Sequence, residues 1–318
     1  MSYFNLFRKI FIKKDVVKVL ISSLSKRISH TMLMFLGILF MAVSCKRKPL
    51  NYITYYNRVN EIDSIYRFER DTLETIRQYK KLFEEYPPRN QERIQEFETY
   101  ITLSDRYHKD FGGKKTLYKL IPLIAPYGQG YKKYLDLYEK YGIDSLTLKG
   151  EIVEWRRDKL NRTLIDSFSV AFMRDREDRR SDNELTDKND RKNAELLKWT
   201  FENYGYPSLQ KIGIIGNNDV FMPMLTLFSH MSRSEYYPYF KTKLLEYVKS
   251  GDCLPRDYAT MVDRHRLYIS KEEILYGCYI DGTTQLDTLK INRNRKTIGL
   301  PSLKHSAKIR KDFFNSFK

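Results

Sequence analysis

The sequence predicts a mainly α-helical protein: a tetratricopeptide-like array of helical hairpins, then a helical domain with one small β-hairpin at about residues 274–291. Three observations carry this reading. Apolar residues recur at i, i+3, i+4 and i+7 through most of the chain after residue 50. The periodic stretches open on capping residues and close on Gly or Pro. One segment breaks the helical period, ILYGCYI–DGT–TQLDTLKI, in which two runs rich in branched and aromatic residues flank an Asp-Gly turn.

The 318 residues, 42% hydrophobic and 14% aromatic, suffice for two domains with cores of their own. We place a leader at residues 1–45, the helical-hairpin array at 46–160 and the second helical domain at 161–318. The 25 tyrosines supply large, half-polar side chains for packing helix on helix.

In the array, DTLETIRQYKKLFEEY shows one apolar face, with Asp71 as N-cap, Glu74 three residues on, and Pro87-Pro88 as the stop. A second helix from about Asn90 ends at Gly112-Gly113, and KTLYKLIPLIA and GYKKYLDLYEKYG follow as shorter pieces. No strict 34-residue period accompanies these paired helices. From Ile152 to Trp199 the chain is charged and helical. Its middle, RDREDRRSDNELTDKNDRKN, reads as a loop or an exposed helix end, a solvated charge run that includes Asp175 and Arg179–Arg180. Next come an apolar helix over 219–230 with Asp219 as N-cap, a helix starting at Ser234 and ending at Gly251, and a third opened by Pro255. A helix capped by Ser302 closes the chain.

The N-terminus reads as an address. Met32–Val43 is an unbroken apolar run, shorter than the roughly 20 residues that span a bilayer. It follows Lys26 and Arg27 and ends in small residues before a cysteine, the plan of a secretory signal peptide. Ala42-Val43-Ser44-Cys45 resembles a bacterial lipobox, which implies cleavage before Cys45 and its acylation. Two or three acyl chains, at ~0.8 kcal/mol per buried methylene, anchor firmly where one does not. Lys46-Arg47-Lys48 adds attraction to anionic head groups. With Lys rather than Asp at 46, the usual inner-membrane retention signal is missing, so an envelope with two membranes favours the outer one. Residues 1–31 are basic with helically spaced apolar positions, which fits an amphipathic surface helix or a start codon placed too far upstream.

The formal net charge is +17. Acids interleave with the bases (RFERDTLETIRQYKKLFEE), the pattern of a solvated, helix-stabilising face; a surface that binds a polyanion (nucleic acid, anionic lipid or an acidic polymer) is the alternative. Three cysteines, Cys45, Cys253 and Cys278, form no disulfide framework and no metal-ligand spacing, and no cofactor is indicated. With Cys45 acylated, Cys253 and Cys278 either pair or stay as buried thiols.

Several short motifs fall in a definite order: Asp175 with Arg179, Gly-Tyr-Pro at 205–207, Ile212-Gly213, Ser229-His230, DYATMVDR at 257–264, Tyr276-Gly277 and RKTIGLPSL at 295–303. Residues 172–303 thereby resemble an uncharacterised bacterial domain family, a domain of unknown function with the order GWP…QH…DxAxLxDR…YGTQ…GLP. This chain departs from that pattern at Tyr206, Ser229, Ser232 and Cys278-Tyr279. The resemblance implies a domain and no reaction.

Candidate binding residues are Asp175, Arg179, His230, Asp263, Arg264 and Tyr276. His230, with Asp263 and His265, is a candidate cluster for acid–base work or metal ligation. The bland alternative is a cap and ion pairs, since Asp263 and Arg264 point about 100° apart on a helix and so meet different partners. Tyr276-Gly277 reads as a close backbone approach. P-loop, HExxH and G-x-S-x-G patterns are missing. The expectation is an envelope lipoprotein that binds a ligand or a protein partner through its helical array; the alternative is a degenerate hydrolase using catalytic His230 and Asp263.

Overall fold

The structure, a computed structural model, describes residues 50–91, 93–280 and 287–315. The leader, Cys45 and the Asp281-Gly282 turn lie outside the described residues. Leu50–Lys318 forms one compact unit, and helices on both sides of residue 160 share its core, from Tyr52 to Ile309.

The described residues are mainly helical. Helix α1 (Tyr52–Ser64) is capped by Asn51, runs on into a π turn, Ile65–Glu69, and buries Tyr52, Tyr55, Tyr56, Val59 and Ile62. Asp71 caps α2 (Thr72–Glu85), accepting from the Glu74 amide at 2.9 Å; Glu74 itself turns to Arg77 and Gln78, so only half of the expected capping box forms. Helices α3 (Glu96–Arg106), α4 (Gly113–Ile124), α5 (Leu135–Lys140) and α6 (Ser145–Lys159) follow, with a 3₁₀ stretch at Ala125–Tyr134. Consecutive helices pack on each other, α1 on α2 and α2 on α3.

Asn161 caps α7 (Arg162–Asp175), and Asp182 caps α8 (Asn183–Asn203). The charged middle expected as loop or exposed helix is divided: Arg174 and Asp175 end α7, 176–182 is a connection with a 3₁₀ turn at Glu177–Arg180, and the rest is the start of α8. One face of α8 repeats every four residues, Asn189, Asn193, Leu197 and Phe201, and all four are buried. Arg174 donates to Asn193 and Asn189 donates to the Arg174 carbonyl, so the Asn positions fasten α8 to α7.

After a short turn α9 (Leu209–Ile212) come α10 (Met224–His230), α11 (Tyr237–Ser250) and α12 (Pro255–His265). Helix α10 starts later than expected: Asp219 sits in a left-handed 3₁₀ turn and Pro223 holds the capping position. Gly251 closes α11 at φ 80°, and a Cβ there would stand 2.5 Å from the Tyr52 ring, so α11 and α1 meet at a point only glycine allows.

The expected β-hairpin at 274–291 is corrected. Residues 274–280 bend without forming a strand, and α13 (Thr288–Thr297) occupies the place of the second run. Two aspartates explain the difference. Asp263 takes the amides of Leu275, Tyr276 and Cys278, donors that a strand would spend on its neighbour, while Asp287 caps the amides of Leu289 and Lys290. Helix α14 (Leu303–Asn315) ends the described chain, with the Ser302 hydroxyl accepting from the His305 amide at 3.2 Å.

The last helices close on the first. Asp63, fully buried on α1, accepts from Arg67 and meets His305 Nε2 at 2.7 Å, and Arg67 also reaches Asp312 at 2.8 Å. Asn60 donates to the Gly299 carbonyl.

Candidate functional site

Asp175 ends α7 and is 2% exposed, which obliges its carboxylate to find partners. It finds two. His230, last residue of α10, brings Nδ1 to 2.6 Å from Oδ1, and Arg180 brings Nη1 to 2.9 Å from the same oxygen. Arg180 then closes a two-pronged pair with Asp190 on α8, at 3.0 and 2.8 Å. Four side chains thus lock α7, α8 and α10 into one arrangement.

The turn that delivers Arg180 is unusual. Asp178, Arg179 and Arg180 all have positive φ, at 47°, 50° and 62°. None is glycine, and each such residue costs on the order of 1 kcal/mol. The ion pairs of Arg180 and the hydrogen bonds from Ser181 to Asp178 offset that strain. Burial works against the charge on Arg180, but the hydrogen bond and charge of Asp190, with Asp175, raise its pKa above the ordinary value.

Asp175, Asp190 and His230 place one ligand atom each within 4.8 Å of one another, a donor set suited to a divalent cation. The Arg180 guanidinium takes the cationic position between the two carboxylates. Chemically the Asp175–His230 pair orients the imidazole, and its Nε2 has no hydrogen bond among the described residues.

Arg264 on α12 adjoins this cluster. Its NH1 donates to Ser229 Oγ at 2.9 Å and its guanidinium lies 5.5 Å from the Tyr279 ring centre. Its buried Nε has no partner among the described residues. Burial lowers its pKa, and the charges of Arg233 and Arg180 act in the same direction.

The sequence candidates therefore separate. Asp175, His230 and Arg264 come together. Arg179 does not: it is exposed, and Arg180 is the residue turned inward. Asp263 does not meet His230 through any hydrogen bond among the described residues. It is fully buried and accepts the amides of Leu275 and Tyr276 at 2.9 Å and of Cys278 at 2.8 Å. Burial raises its pKa and these amides pull it back. His265 stacks on Tyr237 and bonds the Ser232 carbonyl. Asp263 and Arg264 do point to different partners, as their 100° separation requires.

Tyr276 belongs to the same staple as Asp263. Its carbonyl accepts from Arg295 NH1 at 2.6 Å, and Arg295 also donates to the Pro301 carbonyl and to Ser306. Gly277, at φ 62°, would press a Cβ to 3.2 Å from Leu303. Tyr206 of Gly-Tyr-Pro stacks on Phe228 and donates to Asp257. Most of the ordered motifs are thus joints of the fold.

Sequence reasoning saw Arg180 in the charge run but chose Arg179 as the candidate, and it missed Asp190 and the Asp63–His305 pair. The four-residue repeat along α8 was the available signal for Asp190, which adjoins its buried Asn189. Nothing local marks Asp63 and His305, 242 positions apart. No protein-family model, no curated protein and no solved structure matches the chain.

Proposed function

We propose that this chain is an envelope lipoprotein, anchored through acylated Cys45, whose helical body acts as a binding module. The carrying observation is the order of basic residues, apolar run and Ala42-Val43-Ser44-Cys45, placed just ahead of a body whose first helix opens at Tyr52. Acyl groups on Cys45 would tether the fold close to the bilayer, on the outer membrane where there are two. The α1–α2–α3 succession of packed neighbours supports a tetratricopeptide-like surface for a protein partner. The motif order over residues 172–303 supports assignment to the uncharacterised domain family, in a divergent form.

Binding is preferred to catalysis because Asp175, His230, Arg180 and Asp190 bond to one another across three helices. The Asp63, Arg67, His305 and Asp312 set has the same composition and joins α1 to α14. The hydrolase reading rests on the Asp175–His230 pair, with His230 Nε2 as base, and no longer on Asp263. The intact mass of the membrane-extracted protein tests the proposal. A chain beginning at Cys45 with diacylglycerol and acyl additions supports it; a chain that retains its first 44 residues and carries no lipid overturns it.

A further inference from the structure

A cavity of about 160 Å³ opens between the loop before α3, the start of α12, the 277–278 bend and α14. That is close to the volume of an engineered cavity that holds benzene, ~150 Å³. Its floor is apolar, with Ile94, Leu300 and Ile309, while four arginines, at 93, 256, 295 and 310, line it. No Asp or Glu is among the described residues that line it.

Arg295 is the centre of this arrangement. It is 3% exposed, yet its hydrogen bonds go to two carbonyls, the Ser306 hydroxyl and, at 3.7 Å, the Cys278 sulfur. No carboxylate pairs with it among the described residues; the nearby Asp263 spends its oxygens on backbone amides. A buried guanidinium without a counter-ion is costly, and an anion in the cavity removes that cost. Of its five N–H groups, one on Nη2 has no acceptor among the described residues. Ser306 Oγ, having accepted from Arg295, still has its own hydrogen to donate. Arg310, exposed on α14, faces the same cavity and adds a second positive charge at its rim. Burial lowers the pKa of Arg295, the charge of Arg310 acts in the same direction, and Cys278 and the Asp263 carboxylate act against it.

We propose that this cavity binds a small organic oxyanion, a carboxylate or phosphate monoester carried on an apolar group about the size of a benzene ring. The oxyanion takes the Arg295 and Ser306 hydrogens with Arg310 at the rim, and the apolar group lies on the Ile94–Ile309 floor. The inference gives a ligand class to the binding-module reading, and it is tested apart from the anchor: the Cys45 mass measurement succeeds or fails independently.

Cys278 lines the cavity and serves as the reporter. Its alkylation in the purified full-length protein is followed by peptide mass spectrometry, which separates it from Cys253 and Cys45. Benzoate and phenyl phosphate should slow the reaction saturably, inorganic phosphate less, and benzyl alcohol hardly at all. Arg310→Ala should weaken the protection by benzoate about tenfold and leave the melting temperature of the ligand-free protein unchanged. Equal protection by benzyl alcohol, undiminished benzoate protection in Arg310→Ala, or no protection by any probe overturns the proposal.

Discussion

Glu96 offers the sharpest test of how this core is built. It opens α3 fully buried, accepting the Tyr55 hydroxyl at 3.0 Å and the Gln91 amide at 2.7 Å. Burial pushes its carboxyl from 4.5 up to about 7, against the pull of its hydrogen bonds. The sign follows. Below about pH 4.5 the folded and unfolded states both hold the proton; between 4.5 and 7 only the folded state does. Stability contributed by the protonated form is therefore full at acid pH and lost as pH rises through 7, and the loss amounts to about 3 kcal/mol. Glu96→Gln removes the titration. Gln offers a single oxygen where two acceptors were used, a cost of about 1 kcal/mol. The variant should be about 1 kcal/mol less stable than the parent near pH 4.5 and about 2 kcal/mol more stable near pH 8.5. Urea unfolding at the two pH values measures this. A difference between parent and variant that does not change with pH would contradict a Glu96 carboxyl that titrates near 7 in the folded protein.

Further outcomes follow from other joints. Asp263→Ala strips three amides of their acceptor and should cost about 3–5 kcal/mol, with hydrogen-exchange protection lost at Leu275, Tyr276 and Cys278; retained protection would contradict the staple. Arg180→Ala leaves Asp175 and Asp190 facing each other and should lower the melting temperature, with Zn²⁺ or Mn²⁺ restoring part of it by taking the guanidinium's place between carboxylates and His230. Absence of any metal effect on the variant's melting would speak against that geometry. Gly251→Ala drives a Cβ into the Tyr52 ring at a left-handed position and should destabilise by more than ~2 kcal/mol, whereas Gly150→Ala, in the open interior of α6, should gain up to ~1 kcal/mol in the same thermal assay.

The helices were legible because their signals are local. Asp71, Gly251, Pro255 and Ser302 act within one turn of where they stand, and the structure uses each as the sequence suggests. The hairpin misled because its signal was equally local while the deciding contact was not. ILYGCYI has strand composition, yet Asp263, on a preceding helix, captures its amides, and Asp287 makes the next run helical. The choice of Arg179 over Arg180 failed in the same way: adjacent arginines have the same propensity, and only the left-handed turn decides which one points inward.

The candidate site was half visible. Asp175, His230 and Arg264 stood out by residue type, but their partners are set by distance in space: Asp175 meets His230 across 55 positions, Arg264 meets Ser229 across 35. Periodicity, caps and the charged, apolar and small residues before Cys45 needed nothing beyond the chain itself, because each rests on neighbours within a few positions. Which aspartate faces which histidine, and which arginine is buried with no carboxylate bonded to it among the described residues, came only with the packing. Ion pairs and cavities are properties of surfaces brought together, and no stretch of sequence contains both sides of them.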